Sequence, residues 1–154
     1  MQQSFASIPH MQFQPEIVVD AFNRRTILTV ECIARTGESV EEAVYLRDTF
    51  LPEEIEIDDC FFMLVRISVV NLWMPGNARG VLPHYTASAL PILRQHAHED
   101  LKYLERAGLR RAVASWLKSV SDGRPADGSA VEQMLVDSGL YEKLRAGYVR
   151  DCGR

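Results

Sequence analysis

Hydrophobic positions recur at helical spacing through the C-terminal half of this chain. Leu90, Leu93, Ala97, Leu101 and Leu104 are separated by three, four, four and three residues, a stripe down one side of a helix that runs to Gly108. Leu109, Val113, Trp116, Leu117 and Val120 repeat the stripe as far as Asp122-Gly123-Arg124-Pro125, a strong stop. Val131, Met134 and Leu135 follow a capping pattern at Ser129-Ala-Val-Glu132, and Leu140, Leu144 and Tyr148 form a last short stripe after Gly139. In the N-terminal half, Ser39-Val-Glu-Glu42 is a second such pattern. There the serine hydroxyl is expected to accept from the N–H of Glu42, and the Glu42 carboxylate to reach back to the N–H of Ser39. Pro52 ends that helix and is well placed to open another, with Glu53, Glu54 and Glu56 in or near its first turn.

Two segments have no single period. In residues 16–36 the apolar positions fall all round a helical wheel, while the β-branched content suits two strands turning at Asn23-Arg24-Arg25 equally well. Residues 60–74 are apolar almost throughout, so they fit a central buried helix or a strand alternating at 61, 63, 65, 67 and 69. Because the clear signals are helical, the expected fold is mainly α: about five to six helices in a compact domain, with a β-hairpin in 16–36, and hence α+β, as the alternative. The 154 residues suit one domain. Residues 1–14 read as a mobile arm. Residues 74–83, with two glycines and two prolines, read as a loop between an acidic N-terminal half and a more basic helical C-terminal half.

Charge sharpens this picture. The net charge of −4 hides a block at residues 38–59 that holds nine carboxylates and one arginine. An acidic chain supplies no overall counter-charge to phosphate, so neither nucleic acid nor an anionic membrane is an expected partner. No stretch reaches the ~18 apolar residues of a membrane span, and the N-terminus lacks a basic and apolar leader, which together predict a cytoplasmic protein. Cys32, Cys60 and Cys152 form no CxxC pair. Cys32 and Cys60 lie among apolar neighbours and are expected to be inert, and Cys152 to be exposed.

The candidate chemistry is sparse. His96, Glu99 and Asp100 have the i, i+3, i+4 spacing that places metal ligands on one helix face, but His98 points elsewhere and His84 is twelve residues earlier. Glycine-rich phosphate loops and nucleophile elbows are absent, so no cofactor is expected and no catalytic residue is assigned. Residues 101–121, with Lys102, Arg106, Arg110, Arg111 and Lys118, have a superficial helix-turn-helix look about Ala107-Gly108. The second helix offers few side chains able to read bases. Phe5 and Phe13 on the arm would suit docking onto a second copy, making a homo-oligomer.

The function expected is that of a small non-catalytic interaction protein of the inhibitor, immunity, chaperone or phage-accessory type. Its protein partner would be basic, and the contact would be made by Glu53, Glu54, Glu56, Asp58 and Asp59. The alternatives are a metal-dependent enzyme using His96, Glu99 and Asp100, or a DNA-associated regulator using residues 101–121.

Overall fold

The structure, a computed structural model, describes residues 15–51 and 60–153. It is α+β. Five helices and a six-stranded mixed sheet make up 38% and 24% of it, which corrects the mainly helical expectation. The elements run β1 (Ile17–Asp20), β2 (Thr26–Ile33), α1 (Val40–Phe50), β3 (Phe61–Arg66), β4 (Val69–Trp73) and β5 (Tyr85–Ser88). They continue with α2 (Leu90–His96), a 3-10 turn at Leu101–Tyr103, α3 (Arg106–Ser121), α4 (Ala130–Asp137), α5 (Leu140–Leu144) and β6 (Tyr148–Asp151). The strand order is β5-β4-β3-β2-β1-β6. Only β2 and β3 are parallel, joined through α1, and every other neighbour is antiparallel.

Residues 60–74 hide their strands because both faces are buried. Phe61, Met63 and Val65 enter the larger core, while Phe62 and Leu64 enter the smaller one on the opposite face. A strand covered on both sides loses its polar–apolar alternation and becomes indistinguishable from a buried helix by period alone. Residues 16–36 form the hairpin: Val18 stands opposite Thr29 and Val19 opposite Leu28. Residues 74–84 connect β4 to β5, which are neighbours in the same sheet.

The long stripe from Leu90 is also broken. The helix ends at His96, and Ala97 is already extended with a ψ of 140°. Asp100 then caps the 3-10 turn by accepting from the Lys102 N–H at 3.2 Å, competing with helix continuation. Leu93 and Leu104 remain buried, so the apolar stripe survives although the single helix does not. Gly108, which reads as a helix boundary, lies inside the first turns of α3. A Cβ there would come within 2.9 Å of Leu104 Cδ1 and 2.1 Å of Glu99 Oε2, so the glycine serves close packing.

Four helices, α2 to α5, cover one sheet face around Leu109, Val113, Trp116 and Leu117. The opposite face carries α1 and a smaller cluster of Ala43, Leu51, Phe62, Leu64 and Trp73. Among the described residues no helix is long and apolar enough to cross a membrane.

Candidate functional site

The acidic residues singled out by sequence, Glu53, Glu54, Glu56, Asp58 and Asp59, lie outside the described residues, as do Phe5 and Phe13 and the arm at 1–14. The two residues that bracket the acidic stretch are both buried, Leu51 at 3% and Cys60 at 4% exposure. Two carboxylates of the described part of the block, Glu42 and Asp48, are engaged within the fold. Glu42 accepts from Arg66 Nη1 at 3.0 Å and from Arg35 Nη2 at 2.9 Å. Asp48 accepts from the Gly80 N–H at 3.0 Å.

Both serine caps form, but neither closes as a reciprocal box. Ser39 accepts from the Glu42 N–H at 3.1 Å, and Ser129 from the Glu132 N–H at 3.4 Å. The Glu42 carboxylate goes to arginines instead. That of Glu132 is buried among Trp116 Nε1 at 2.9 Å, the Asp127 N–H at 2.9 Å and the Arg124 guanidinium. Asp127 accepts from the Ser129 N–H in its place.

The metal candidate comes apart. His96 Nδ1 meets Ser115 Oγ at 2.9 Å, Glu99 accepts from Arg111 Nη2 at 3.2 Å, and Asp100 caps the 3-10 turn. Among the described residues no three His, Cys, Asp or Glu side chains gather as metal ligands, and His84 is taken by the Met74 N–H at 3.0 Å. The His96–Ser115 pair resembles half of a nucleophile–base arrangement, and burial with the nearby Arg124 holds His96 below the usual histidine value. Ser115, however, lies within α3, whose backbone N–H groups are spent on the helix rather than aimed at an oxyanion. The contact ties α2 to α3.

The basic stretch is likewise woven into the fold. Arg106 Nε donates to Glu16 Oε2 at 2.9 Å, Arg110 pairs with Asp151 at 2.8 Å, and Arg111 with Glu99. Glu16 is wholly buried, and its other oxygen accepts from the Cys32 N–H at 2.9 Å. The hydrogen bond to Glu16 raises the Arg106 pKa. The turn expected at Ala107-Gly108 is absent, because both residues are in α3, and the helix-turn-helix likeness goes with it. Burial pushes the Cys60 thiol up to about 11 and raises Cys32 as well, in keeping with inert core thiols. Cys152 is exposed.

One feature of the described surface escaped the sequence reading. Phe22, counted there with the apolar positions of a helical wheel, sits at the tip of the β1–β2 hairpin and is 98% exposed. Its signal was present: an aromatic residue directly before Asn23-Arg24-Arg25, a turn reading already in view.

In comparisons with known proteins, no family model matches the chain, and neither a curated protein nor a solved structure is similar to it. The class defined by the coordinates is that of an α+β protein with a mixed six-stranded sheet.

Proposed function

We propose that this chain is a small non-catalytic interaction protein that binds a basic protein partner through Glu53, Glu54, Glu56, Asp58 and Asp59. The supporting observation is the distribution of charge. Of 17 Lys and Arg, one (Arg154) lies outside the described residues, and of 21 Asp and Glu, five do, leaving 16 of each sign within them. The described fold is therefore electrically neutral. The excess carboxylates fall in one eight-residue stretch, interleaved with Ile55 and Ile57 and rooted at buried Leu51 and Cys60. Arg106, Arg110 and Arg111 each have a carboxylate partner among the described residues: Glu16, Asp151 and Glu99. A concentrated charge beside apolar side chains suits steering of an oppositely charged partner followed by apolar contact.

The test is affinity capture from the native cell with a graded salt wash, alongside a variant carrying E53Q, E54Q, E56Q, D58N and D59N. A partner lost between about 50 mM and 500 mM salt, and lost in the neutralised variant, is the expected result. Equal retention by wild type and variant at both salts would remove the acidic stretch from the contact.

A further inference from the structure

One edge of the sheet is left open. β6 ends the strand order, so among the described residues no strand pairs with its outer side. At the opposite edge β5 runs straight into α2, and the Tyr85 hydroxyl donates to the Asp137 carbonyl of α4 at 3.4 Å. The inner side of β6 fits β1 without a bulge, from Tyr148 opposite Asp20 to Asp151 opposite Ile17. The Cys152 N–H donates to the Glu16 carbonyl at 2.8 Å, which sets the phase of this ladder. Even-numbered residues therefore turn their peptide groups toward β1, while Val149 and Asp151 turn theirs outward.

Exposed edges in folded proteins are guarded by lysine, proline, a bulge or a covering element. β6 carries none of the first three, and Tyr148, Arg150 and Asp151 are exposed. Its two charges are tied back into the chain: Arg150 Nε to Asp20 at 2.8 Å on one face, and Asp151 to Arg110 at 2.8 Å on the other. α3 lies alongside, with its Ser121 carbonyl accepting from the Ala146 N–H at 2.9 Å and its Arg110 at Asp151. Helix and strand thus run antiparallel here, which brings Ala114 level with Val149. Both are half-buried apolar residues at the margin of the larger core, and a covering chain would complete their burial.

We propose that β6 is the contact between two copies of this chain, paired antiparallel about a two-fold axis at Val149. Self-complementarity identifies the occupant. Outward peptide groups must meet outward ones, so each symmetric pairing is centred on one residue. An axis at Arg150 sets two guanidinium groups side by side, and one at Asp151 sets two carboxylates opposite each other. An axis at Tyr148 runs the second strand against residues 145–147, where Ala146, at φ 61°, lies outside the strand. At Val149 the two valines meet beside Ala114, and each Val149 N–H donates to the carbonyl of the other. Tyr148 then lies next to Arg150 of the second copy. A strand of four residues makes a contact smaller than the roughly 1,200 Å² of stable interfaces, so monomer and dimer exchange with concentration. The pairing uses backbone groups and is independent of the acidic stretch, which precedes β3, three strands from β6 in the sheet order. It goes beyond the function proposed above and stands or falls without it.

The test is sedimentation velocity of the full chain from about 10 µM to about 1 mM, with amide hydrogen exchange at both ends of that range. The weight-average mass should rise from the 17.4 kDa monomer toward twice that value. Protection should appear with concentration at the Val149 and Asp151 amides, while those of Arg150 and Cys152 are protected throughout. Val149→Pro is the discriminating variant. It removes an outward N–H that the fold does not use, so its melting temperature should stay close to wild type while the dimer weakens at least about tenfold. Tyr148→Lys sets a lysine beside Arg150 of the second copy and should weaken the dimer as well. A chain that stays monomeric throughout the range, or exchange at Val149 and Asp151 that ignores concentration, would overturn the proposal. A dimer kept at wild-type strength by Val149→Pro would do so too, and its loss in the Phe5→Ser, Phe13→Ser double variant would then move the contact to the arm. The variant neutralised at residues 53–59 should dimerise as wild type does, which separates this test from the preceding one.

Discussion

The two faces of the sheet are held by different physics. Under α2 to α5 the core is large and mostly apolar, from Leu28, Val30 and Cys32 through Met63, Val65 and Leu72 to Leu109, Val113 and Trp116, with the buried Glu132 beside Trp116 as its main polar group. Under α1 the packing is thin, and directional contacts take over. Arg66, wholly buried, donates to Glu42 at 3.0 Å, to the Ser39 carbonyl at 3.3 Å and to Asn71 Oδ1 at 3.0 Å, and Asn71 in turn donates to Thr86 Oγ1 at 3.0 Å. At the other end of α1, Arg47 stacks over Trp73 at 5.5 Å and donates to the Ala78 and Gly76 carbonyls at 2.7 and 3.0 Å. Apolar burial sets how much stability a face contributes but not a unique placement, whereas hydrogen-bonded arginines fix position. The polar face positions α1 and the 74–84 loop, and with α1 the buried Leu51 from which the acidic stretch departs.

The largest effect is expected on the apolar face. Trp116→Ala removes a buried ring and leaves Glu132 without one of its donors. It should cost about 3–5 kcal/mol in denaturant unfolding. A loss below about 1 kcal/mol would mean that this face is not the main source of stability.

Next comes Arg66→Met, which leaves Glu42 with Arg35 alone and Asn71 Oδ1 without its donor, and should cost about 3 kcal/mol. The sharper measurement is the triple variant Arg66→Met, Glu42→Gln, Asn71→Leu. On a face held by a polar network, removing the network together should cost less than removing its centre alone. Additive losses would make the network an assembly of independent contacts.

Smaller effects attach to the caps. Ser39→Ala and Ser129→Ala should each cost about 1 kcal/mol, measured by thermal melts of the two variants in parallel. Because both serines cap in the same way, a large inequality would show that one helix depends on its cap and the other on its packing.

The smallest effect concerns pH. Burial and Arg124 hold His96 below the ordinary value, so as pH falls the unfolded chain takes up this proton before the folded one. Its contribution is complete above about pH 6.5 and is lost as pH drops through that value. The slope of stability against pH between about 7 and 5.5 should be shallower in His96→Gln. Identical slopes would clear His96 of any part in it.

Much of the helical layer was legible in the sequence. The stripe of Leu109, Val113, Trp116 and Leu117, the stop after Ser121 and the serine caps all appear in the structure, since each depends on neighbours within a few residues. The sheet was not legible. Strands β3 and β4 are buried on both faces, and a pairing such as Met63 with Leu72 or Val30 with Met63 leaves no local mark once alternation is gone. At the candidate sites, the sequence located the acidic stretch and the turn at Asn23-Arg24-Arg25. Phe22 looked like core, because exposure is a property of the folded surface rather than of residue type.

By itself the sequence located the serine caps at Ser39 and Ser129 and the stop after Ser121, the burial of Cys32 and Cys60 with Cys152 exposed, and the concentration of negative charge before Cys60. Local hydrogen bonding and composition suffice for these. Only the tertiary structure decided where the long charged side chains end. Glu42 and Glu132 left their capping boxes for arginines, Arg106 crossed to Glu16 ninety residues away in the chain, and His96, Glu99 and Asp100 parted to separate partners. A buried charge must find a counter-charge wherever the fold provides one, and that search is settled by three-dimensional proximity, not by spacing along the chain.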